Sequence, residues 1–336
     1  MGLIADCVPL SGENRIFAKH GLKSLETGDH PGVAALMESA GVKKGKITST
    51  TVGFYIGPRI NAAGRLDTAN HALELLLGDL AKITVLSRLN SQRQKMVEEF
   101  LNEAKDAIRQ LPELPNLIML KSEKWHVGTL GLIAGKLCDS FLRPAIAMQE
   151  RSEEFVASTR SLNEFDITAF LRKEAGDLFT AFGGHKLAGG FSLPKKNYEE
   201  FIKRMDKAAK ESIDTSGFND TLEIDCEIAP HEMTFDTSER IMKLEPFGNG
   251  NPEPTLVIRN TKILDIKPVG KSGEHLQFPI KYGDKKFLAI AFRFSGHLDK
   301  IKPEAEYDIA FNLETNEWNG YKKLQLRVVD LKLSNQ

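Results

Sequence analysis

The feature that most constrains the fold is a long segment, residues 79–111, that contains neither proline nor glycine. Its apolar residues recur at helical spacing, and its other face is charged. The apolar positions are Val97, Phe100, Leu101, Ala104 and Ile108. We predict one long helix that ends before Pro112, because proline disfavours a helical conformation in the residue before it. This helix either connects two domains or packs as an ordinary core helix, and the sequence leaves both interpretations open.

The segments on either side of this helix differ in pattern. Residues 1–78 alternate helical stretches with loops, and residues 57–65 are too rich in glycine and proline for a regular element. Residues 112–212 combine short apolar runs, typical of buried strands, with helical stretches, which predicts a compact α/β domain. Residues 216–336 are rich in alternating β-type runs, and Asn319-Gly320 predicts a hairpin, so an OB-like β-barrel is favoured. The predicted fold class is therefore a multidomain α/β protein.

Composition narrows the classes of function. The formal net charge of the 336 residues is −1, so a nucleic-acid site has to be a local basic groove on this protein. The three cysteines are far apart and form no Cys-x-x-Cys pair, which disfavours a disulfide scaffold or a cysteine-ligated zinc site and predicts buried free thiols. No apolar run reaches about 18 residues, and the start of the chain lacks a signal-peptide pattern. We therefore expect a cytoplasmic protein without a membrane partner.

The most specific motif surrounds a single histidine. His185 follows Gly183 and Gly184, and Gly189 and Gly190 come shortly after it, in what we predict to be a turn between a helix and a strand. Glycines permit close backbone approach, and their exposed N–H groups can form an anion-binding nest. A histidine in such a nest can donate a hydrogen bond to a phosphate oxygen. The alternative is a tight turn with a packed histidine.

Further side chains suit phosphate binding by their type and position. They are Arg59, Asn61 and Arg65 in the predicted loop 57–65, Ser158 and Arg160 at a predicted strand end, and His126 just before a predicted helix. Arginine binds phosphate through two parallel hydrogen bonds, and a helix N-terminus favours anions. Each has a structural alternative: solvated arginines in a surface loop, a solvated strand end, and a histidine that caps the helix or packs in the core.

Asp6 is a candidate metal ligand. Residues 2–10 are typical of the end of a buried strand followed by a loop, and hard cations prefer carboxylates at such positions. The alternative is a capping aspartate, and one carboxylate does not make a metal site alone. A chain that begins inside a core strand also suggests a missing upstream segment.

Several motifs together resemble the RecJ family. Residues 57–65 (Gly-Pro-Arg-Ile-Asn-Ala-Ala-Gly-Arg) are similar to its signature segment, and residues 183–185 with 188–191 resemble the glycine-histidine motif of the DHH-associated domain. Residues 125–128, 158–161, 244–248, 251–254 and 317–320 follow in the family's order. The likeness runs from residue 2 to about residue 333, which is essentially the whole chain.

The resemblance implies an activity and a domain order. RecJ-like proteins are 5′-to-3′ single-stranded DNA exonucleases of recombination and repair that use two Mn²⁺ or Mg²⁺ ions to hydrolyse phosphodiesters. By the same resemblance, residues 1–78 are the C-terminal remnant of a DHH catalytic domain and residues 79–111 are a connecting helix. Residues 112–212 are the DHH-associated domain, and residues 216–336 are an OB-fold domain. The implied partner is single-stranded DNA, together with the missing N-terminal catalytic half or other repair proteins.

The resemblance also implies roles for the candidate residues. Asp6 matches the last metal ligand of the catalytic domain. Arg160 and His185 match catalytic residues of the DHH-associated domain, which bind the substrate phosphate. The other implied substrate-binding residues are Arg59, Asn61, Arg65, His126, Ser158, Gly183 and Gly184.

The chain departs from the family in one respect. No Asp-x-Asp motif precedes Asp6, and none of the eight histidines is adjacent to another, so there is no Asp-His-His motif. We therefore expect this chain alone to bind no metal pair and to be inactive. The alternatives are a non-catalytic single-strand-binding or partner-dependent subunit, a small DHH phosphoesterase acting on short oligonucleotides, and a tRNA-related domain. The barrel and the long helix disfavour the second, and residues 57–65 disfavour the third.

Overall fold

In the computed structural model the chain divides into two units. The structure covers residues 1–42, 45, 47–163, 165–216, 218, 221–270, 272–303, 305–318 and 320–334, with only the backbone at 299, 300 and 318. The first unit comprises Met1–Lys23, Ile47–Ser49 and Leu222–Gln336, and the second comprises Ser24–Lys46 and Thr50–Thr221. No helix in the described part of the chain is long and apolar enough to cross a membrane.

The regular elements follow in chain order. The helices are α1 (Gly2–Ala5), α2 (Gly12–Glu26), α3 (Pro31–Ser39), α4 (Gly57–Leu66), α5 (Asn70–Leu76), α6 (Lys82–Arg109), α7 (Val127–Phe141), α8 (Ile167–Ala175), α9 (Tyr198–Ser212) and α10 (Phe235–Met242). The strands are β1 (Ile118–Ser122), β2 (Ala145–Glu150), β3 (Glu154–Arg160), β4 (Ala181–His185), β5 (Ala188–Pro194), β6 (Cys226–Glu227), β7 (Leu256–Ile263), β8 (Lys267–Val269), β9 (His275–Tyr282), β10 (Lys285–Ala291), β11 (Glu306–Trp318) and β12 (Tyr321–Leu333).

Helix α6 confirms the long helix that the sequence predicts. Its C-terminal half buries Phe100, Ala104 and Ile108 against α7 in one core cluster, and it also packs against α3, α4 and α5. The buried residues keep the spacing of one helical stripe, as the pattern requires. Within the second unit, α6 therefore behaves as a packed core helix.

The α/β part of the second unit is a five-stranded sheet in the order β1-β2-β3-β5-β4. Strands β1 and β2 are parallel, and the other neighbours are antiparallel. Helix α7 covers one face, where Ile118, Ala145 and Ala147 pack against it. Helices α8 and α9 cover the other face, where Phe155 and Phe191 are buried. This arrangement confirms the α/β prediction.

The prediction of a loop at residues 57–65 is wrong. These residues lie in α4, which follows a π-helical turn at Thr51–Ile56. Pro58 lies in the first turn of α4, where a missing N–H group leaves no helical bond unmade. Ala62 and Ala63 are fully buried, and this packing stabilises the helix despite its two glycines. Tertiary burial thus overrides a local composition that is typical of loops.

The prediction of a strand at residues 2–10 is also wrong. Residues Gly2–Ala5 form the short helix α1, and Asp6 follows it with an exposed side chain. No described strand pairs with this segment, and its N–H groups bond locally: those of Ala5 and Asp6 donate to Met1 O and Gly2 O at 3.0 and 2.9 Å. A strand needs a paired neighbour to satisfy these groups, whereas a helical turn does so by itself.

The residues after α1 pack inside the first unit. Leu10 is buried, its N–H donates to Asn249 O, and a side chain at Gly248 would begin 2.8 Å from its Cδ1. Asn249 Nδ2 donates to Cys7 O at 2.7 Å. Part of the Leu-Glu-Pro-Phe-Gly motif at 244–248 therefore has a structural role, which is to hold residues 7–10.

The barrel of the first unit consists of β7, β9, β10, β11 and β12. Each strand hydrogen-bonds to its neighbours in the order β7-β11-β12-β10-β9, and β9 returns to β7 over two residue pairs. Strands β10 and β12 are parallel and the remaining pairs are antiparallel. Phe278 and Phe311 fill the core. This is the OB-like arrangement that the sequence predicts, with closure limited to the short β7–β9 contact.

The sequence predicted one detail of the barrel, the hairpin between β11 and β12, and missed another, the strands β8 and β9. The predicted hairpin is present, since Trp318 pairs with Tyr321 at the end of β11 and β12, although Asn319 itself lies outside the described residues. Strands β8 and β9 were not predicted. Strand β9 alternates buried and half-buried side chains, but Pro279 in its middle obscured that pattern.

The three thiols differ in exposure. Cys138 is buried in α7, while Cys7 and Cys226 are exposed, so the expectation of three buried thiols is wrong for two of them. Burial raises the pKa of the Cys138 thiol to about 11, with the nearby Asp139 adding to the effect. Because the thiolate is the reactive form, Cys138 is protected twice, by its pKa and by its packing.

We expect a thiol-specific disulfide reagent at about pH 8 to modify two thiols of the native chain rapidly and the third only on unfolding. Because burial raises the pKa of Cys138, its neutral thiol stabilises the fold at pH values below the pKa that this thiol has in the unfolded chain. This contribution is lost as the pH rises through about 11. A Cys138→Ala variant is the control, and it should lose the modification that occurs only on unfolding. Rapid modification of all three thiols would contradict the burial of Cys138.

Candidate functional site

Strand register brings the glycine-histidine motif beside Arg160. Arg160 of β3 pairs with Ala188 of β5, and Ala188 pairs in turn with His185 of β4. Directly opposed residues in antiparallel strands share a face, and their sequence neighbours occupy the other face. Phe155 and Ala157 of β3 face α8 and α9, so Arg160, Ala188 and His185 lie on the face that α7 covers.

The next row of the sheet extends this site. Ser158 pairs with Gly190, and Gly190 pairs with Gly183. A side chain placed at Gly183 would meet no atom within 4 Å, so the backbone here is open. Ser158 and the two glycines thus form a flat floor next to Arg160 and His185. The sheet brings together four of the predicted residues, Ser158, Arg160, Gly183 and His185.

The motif is a β-hairpin, which corrects the predicted turn between a helix and a strand. Gly184 lies on the opposite face from His185, with a φ of +151°. A Cβ at Gly184 would lie 2.5 Å from both Ala188 O and Gly189 Cα, so this glycine is required for the close pairing of β4 and β5. The two glycines before the histidine therefore have different roles: Gly184 permits the hairpin, and Gly183 leaves the floor open.

The tip of this hairpin is held by main-chain contacts. The buried Thr168 donates from Oγ1 to His185 O at 2.6 Å, and Ile167 N donates to Lys186 O at 3.1 Å. Ser161 N donates to Leu187 O at 2.9 Å. Helix α8 is itself capped by Asp166, whose side chain accepts from Ala169 N, so the backbone at His185 is fixed by the first turn of a capped helix.

A cavity of about 430 Å³ lies beside the hairpin tip. Its basic lining residues are Arg172, Lys173, His185 and Lys186, with Asp166 as the acidic one. Arg172 also lies over the ring of Phe182, 5.6 Å from its centroid. The surroundings of His185 are therefore positively charged on the α8 side of the hairpin as well.

Arg160 lies across α7 at a glycine. A Cβ at Gly131 would lie 2.8 Å from Arg160 Nη2, whereas one at Gly135 would lie 3.9 Å from Cγ. Nη1 donates to Thr159 O at 2.7 Å. The guanidinium is half-buried, and this burial together with the charge of Arg65 lowers the pKa of Arg160. The glycine on α7 thus creates the space that the guanidinium occupies.

Arg65 reaches the same region from α4. Its Nη1 donates to Gly128 O at 3.1 Å, and a Cβ at Gly128 would lie only 1.9 Å from Arg65 O. The end of α4 therefore touches the first turn of α7. Burial lowers the pKa of Arg65, as it does for Arg59. Arg59 donates from Nη1 to Tyr55 O and from Nη2 to Ser39 O.

Three predicted residues are not brought into this arrangement by the contacts observed. His126 is the N-cap of α7, and its Nδ1 accepts from Gly128 N at 3.1 Å, which is the structural alternative. Asn61 is exposed on α4. Asp6 is exposed and belongs to the first unit, while the other candidates belong to the second.

One candidate was missed, Arg93 of α6. It is half-buried, and its pKa is lowered by burial and by the charges of Arg65 and Arg59. The sequence pattern alone assigned the charged residues of this helix to the face opposite its apolar stripe. The sequence did contain an indication that Arg93 is partly buried. It lies four residues from both Leu89 and Val97, on the stripe of the helix that is otherwise buried.

The arginines near this site share one electrostatic property, which is the lack of a carboxylate partner in the described part of the chain. Among the described residues, no carboxylate contributes to the pKa of Arg59, Arg65, Arg93 or Arg160. Four partly buried cations without a carboxylate partner constitute a local basic site in a chain whose net charge is −1. We call these four residues the arginine cluster.

The comparisons with known proteins agree with this geometry. Residues 114–211 match the DHHA1 domain family, and residues 224–330 match the RecJ OB domain family. This chain belongs to the RecJ family. A curated relative, the single-stranded-DNA-specific exonuclease RecJ of Bacillus subtilis, is 30% identical over 341 residues, which cover 99% of this chain and 43% of the relative. RecJ of Haemophilus influenzae is 32% identical and is matched over 60% of its length.

A solved RecJ structure shares the fold. RecJ of Thermus thermophilus in complex with Mn²⁺ superposes with a TM-score of 0.81 at 30% identity, over 98% of this chain and 48% of that one. A structure of the same protein with Mg²⁺ matches equally well. The chain therefore spans about half the length of the RecJ proteins that it matches.

The described residues do not form a metal site. No group of three or more histidine, cysteine, aspartate or glutamate side chains in this part of the chain lies close enough to hold an ion. Asp6 stands apart from any such group, so its predicted role as a ligand finds no companion residues here. The chemistry that the arginine cluster can support is the binding of anions.

Two glycines of α7 allow the site to be tested apart from stability. Replacing glycine by alanine inside a helix stabilises it by roughly 0.5–1 kcal/mol. We expect Gly131→Ala and Gly135→Ala to unfold at the same or higher temperature. Only Gly131→Ala should weaken binding of a 5′-phosphorylated single-stranded oligonucleotide, by about tenfold, because it displaces the Arg160 guanidinium. Thermal unfolding and fluorescence anisotropy provide the two measurements, and equal affinities of the two variants would contradict the assignment.

Proposed function

We propose that this chain takes part in the 5′-to-3′ degradation of single-stranded DNA in recombination and repair, as the portion of a RecJ exonuclease that binds the phosphates of the strand. Family membership supports the class of substrate, since the relatives are named as single-stranded-DNA-specific exonucleases. The observation that carries the proposal is the placement of Arg160, with Ser158 and His185, around the open floor at Gly183.

The physical argument concerns unpaired charge. A half-buried guanidinium without a carboxylate has lost part of its hydration and gained no counterion, which is unfavourable. A phosphate at the floor restores that balance, because arginine offers two parallel N–H donors to two phosphate oxygens. The bare backbone at Gly183 leaves room for the strand to approach. His185 adds a further donor at the edge of the same floor.

The barrel of the first unit provides separate support. OB folds bind oligonucleotides on the face of their second and third strands and on adjacent loops. In this chain those strands are β9 and β10. Exposed residues on and near them include Lys285, Lys286 and Phe292, and Tyr321, Lys322 and Lys323 begin β12. Aromatic rings that stack on bases, together with lysines that contact phosphates, bind single strands without sequence preference.

The proposal assigns binding, and not hydrolysis, to the described residues. The Thermus relatives hold Mn²⁺ or Mg²⁺, whereas the donor set of the described residues does not fit a two-metal centre. No step of hydrolysis is therefore assigned to Arg160 or His185, whose role here is to hold and orient the substrate phosphate. Substrate positioning of this kind is a separate contribution from the chemistry itself.

We expect Arg160→Gln to weaken binding of a 5′-phosphorylated oligothymidylate by about tenfold or more, as is usual for loss of a hydrogen bond to a charged group. The slope of log affinity against log salt concentration should fall by about 0.7, which corresponds to one phosphate contact on a single strand. Arg151→Gln is the matched control, because Arg151 is exposed just before β3 and pairs with Glu154. Equal effects of the two substitutions, or equal affinity of the native chain for duplex DNA, would disprove the proposal.

The purified 336-residue chain should bind single-stranded DNA without degrading it when Mn²⁺ is supplied. The reason is that binding uses the arginine cluster, while hydrolysis needs metal ligands that the described residues do not assemble. Gel analysis of a 5′-labelled strand after incubation with Mn²⁺ gives the measurement, with Arg160→Gln as the control for contaminating nuclease. Manganese-dependent degradation that disappears in Arg160→Gln would show that this chain is catalytic by itself.

A further inference from the structure

We propose that Arg93 and Arg59 form a second phosphate subsite, distinct from the one at Arg160, which binds an internal backbone phosphate of a single-stranded nucleic acid. The inference rests on the proposed function and extends it, because it assigns a role to α6, which lies outside the motifs that carry the family resemblance. It predicts that the chain distinguishes a strand with several phosphates from a mononucleotide.

The first observation is where Arg93 lies on its helix. Leu89 and Val97, one turn before and one turn after it, are both buried. Arg93 therefore lies at the edge of the buried stripe, where it is half-buried. Its Nη2 donates to Oδ1 of Asn90 at 3.0 Å, and Asn90 is only 4% exposed. The guanidinium is therefore held at a defined place by a buried amide.

The second observation is an unfulfilled hydrogen bond. Among the described residues, Nε of Arg93 is buried and has no partner. A buried donor without an acceptor is destabilising, and more so when it belongs to a charged group. Apart from the bond to Asn90, the described residues offer this guanidinium no compensation. A phosphate bound at its outer nitrogens supplies the negative charge that Arg93 lacks.

The third observation is that the neighbours of Arg93 have the same sign of charge. The positive charges of Arg65 and Arg59 lower its pKa further, in addition to burial. Arg59 is held in turn by the carbonyl oxygens of Tyr55 and Ser39, so it does not turn away into solvent. Like charges held together repel one another, and an anion between them removes that repulsion.

The cluster has two ends, which is why two subsites are inferred. Arg160 responds to the charge of Arg65, whereas Arg93 responds to those of Arg65 and Arg59. On α4, Arg59 and Arg65 are six residues apart (65 − 59), which is roughly 9 Å along the helix axis. The two guanidinium groups are also anchored to different places, Arg59 to the carbonyl oxygens of Tyr55 and Ser39 and Arg65 to that of Gly128. One subsite is therefore at Arg160 and the other at Arg93 and Arg59.

The test compares substrate lengths. We would measure binding of thymidine 5′-monophosphate and of a 5′-phosphorylated oligothymidylate of about eight nucleotides, a length within the usual range of single-strand sites. Arg93→Gln should weaken binding of the oligonucleotide by about tenfold and leave that of the mononucleotide within about twofold. Arg93→Lys, which keeps the charge and loses the planar fork, should fall between the native chain and Arg93→Gln. Arg88→Gln is the matched control, because Arg88 is exposed on the same helix.

Each outcome bears on the inference. If Arg93→Gln weakens both ligands equally, or neither, the second subsite does not exist. Arg160→Gln is measured in parallel and should weaken both ligands. Loss of binding in Arg160→Gln alone would overturn this inference and leave the proposed function intact, whereas a native chain that binds no single strand would overturn both. Thermal unfolding separates a structural role: Arg93→Gln should unfold at the same or a higher temperature, since it removes an unpaired charge, and a lower midpoint would show that Arg93 serves the fold.

Discussion

The second unit depends on a close contact between two helices. The carbonyl oxygen of Arg65, at the end of α4, lies where a side chain at position 128 would begin, so only glycine permits the approach. This contact brings the Arg65 guanidinium to the first turn of α7. Gly131, one turn further along α7, leaves room for the guanidinium of Arg160 in the same way. Two glycines on one helix thus determine where two cations from distant parts of the chain come together.

The arginine cluster is unfavourable for the stability of the fold, which indicates that these residues serve binding. Partly buried arginines that lower one another's pKa, without a carboxylate among the described residues, make the fold less stable than apolar residues in the same places would. Two other partly exposed arginines are paired with carboxylates. Arg327 bonds to Glu253 and Glu314, and Arg259 bonds to Asp308. The contrast is between cations that serve the fold and cations that remain available to a ligand.

Glycine has three separate roles at this site. Gly128 and Gly131 allow close approach on α7, Gly184 allows the tight pairing of β4 with β5, and Gly183 leaves the floor of the site open. A sequence pattern shows only that glycines are frequent near His185. Strand register decides which face of the sheet each residue occupies. It therefore decides which glycine permits a close contact and which leaves a space.

The local sequence pattern was sufficient to predict the elements whose apolar residues recur at a regular spacing. It predicted α6, the α/β sheet, the β-barrel and the hairpin between β11 and β12, since burial of one face imposes a visible period on the sequence. It failed at α4, where the burial of Ala62 and Ala63 stabilises a helix that composition disfavours, and at residues 2–10, where the described chain offers no strand to pair with. In both cases a tertiary contact, or its absence, decided the local conformation.

The sequence by itself determined the family, the order of the domains' characteristic motifs and most of the residue types at the candidate site. Only the tertiary structure showed that Arg160, Ser158 and His185 share one face, that His126 caps a helix, and that Arg93 joins the arginine cluster. The physical reason is that a motif records which groups are available, whereas the sign and burial of neighbouring charges depend on residues far apart in the chain. Arg93 is 28 positions from Arg65 (93 − 65), and their charges interact only once α4 and α6 have packed.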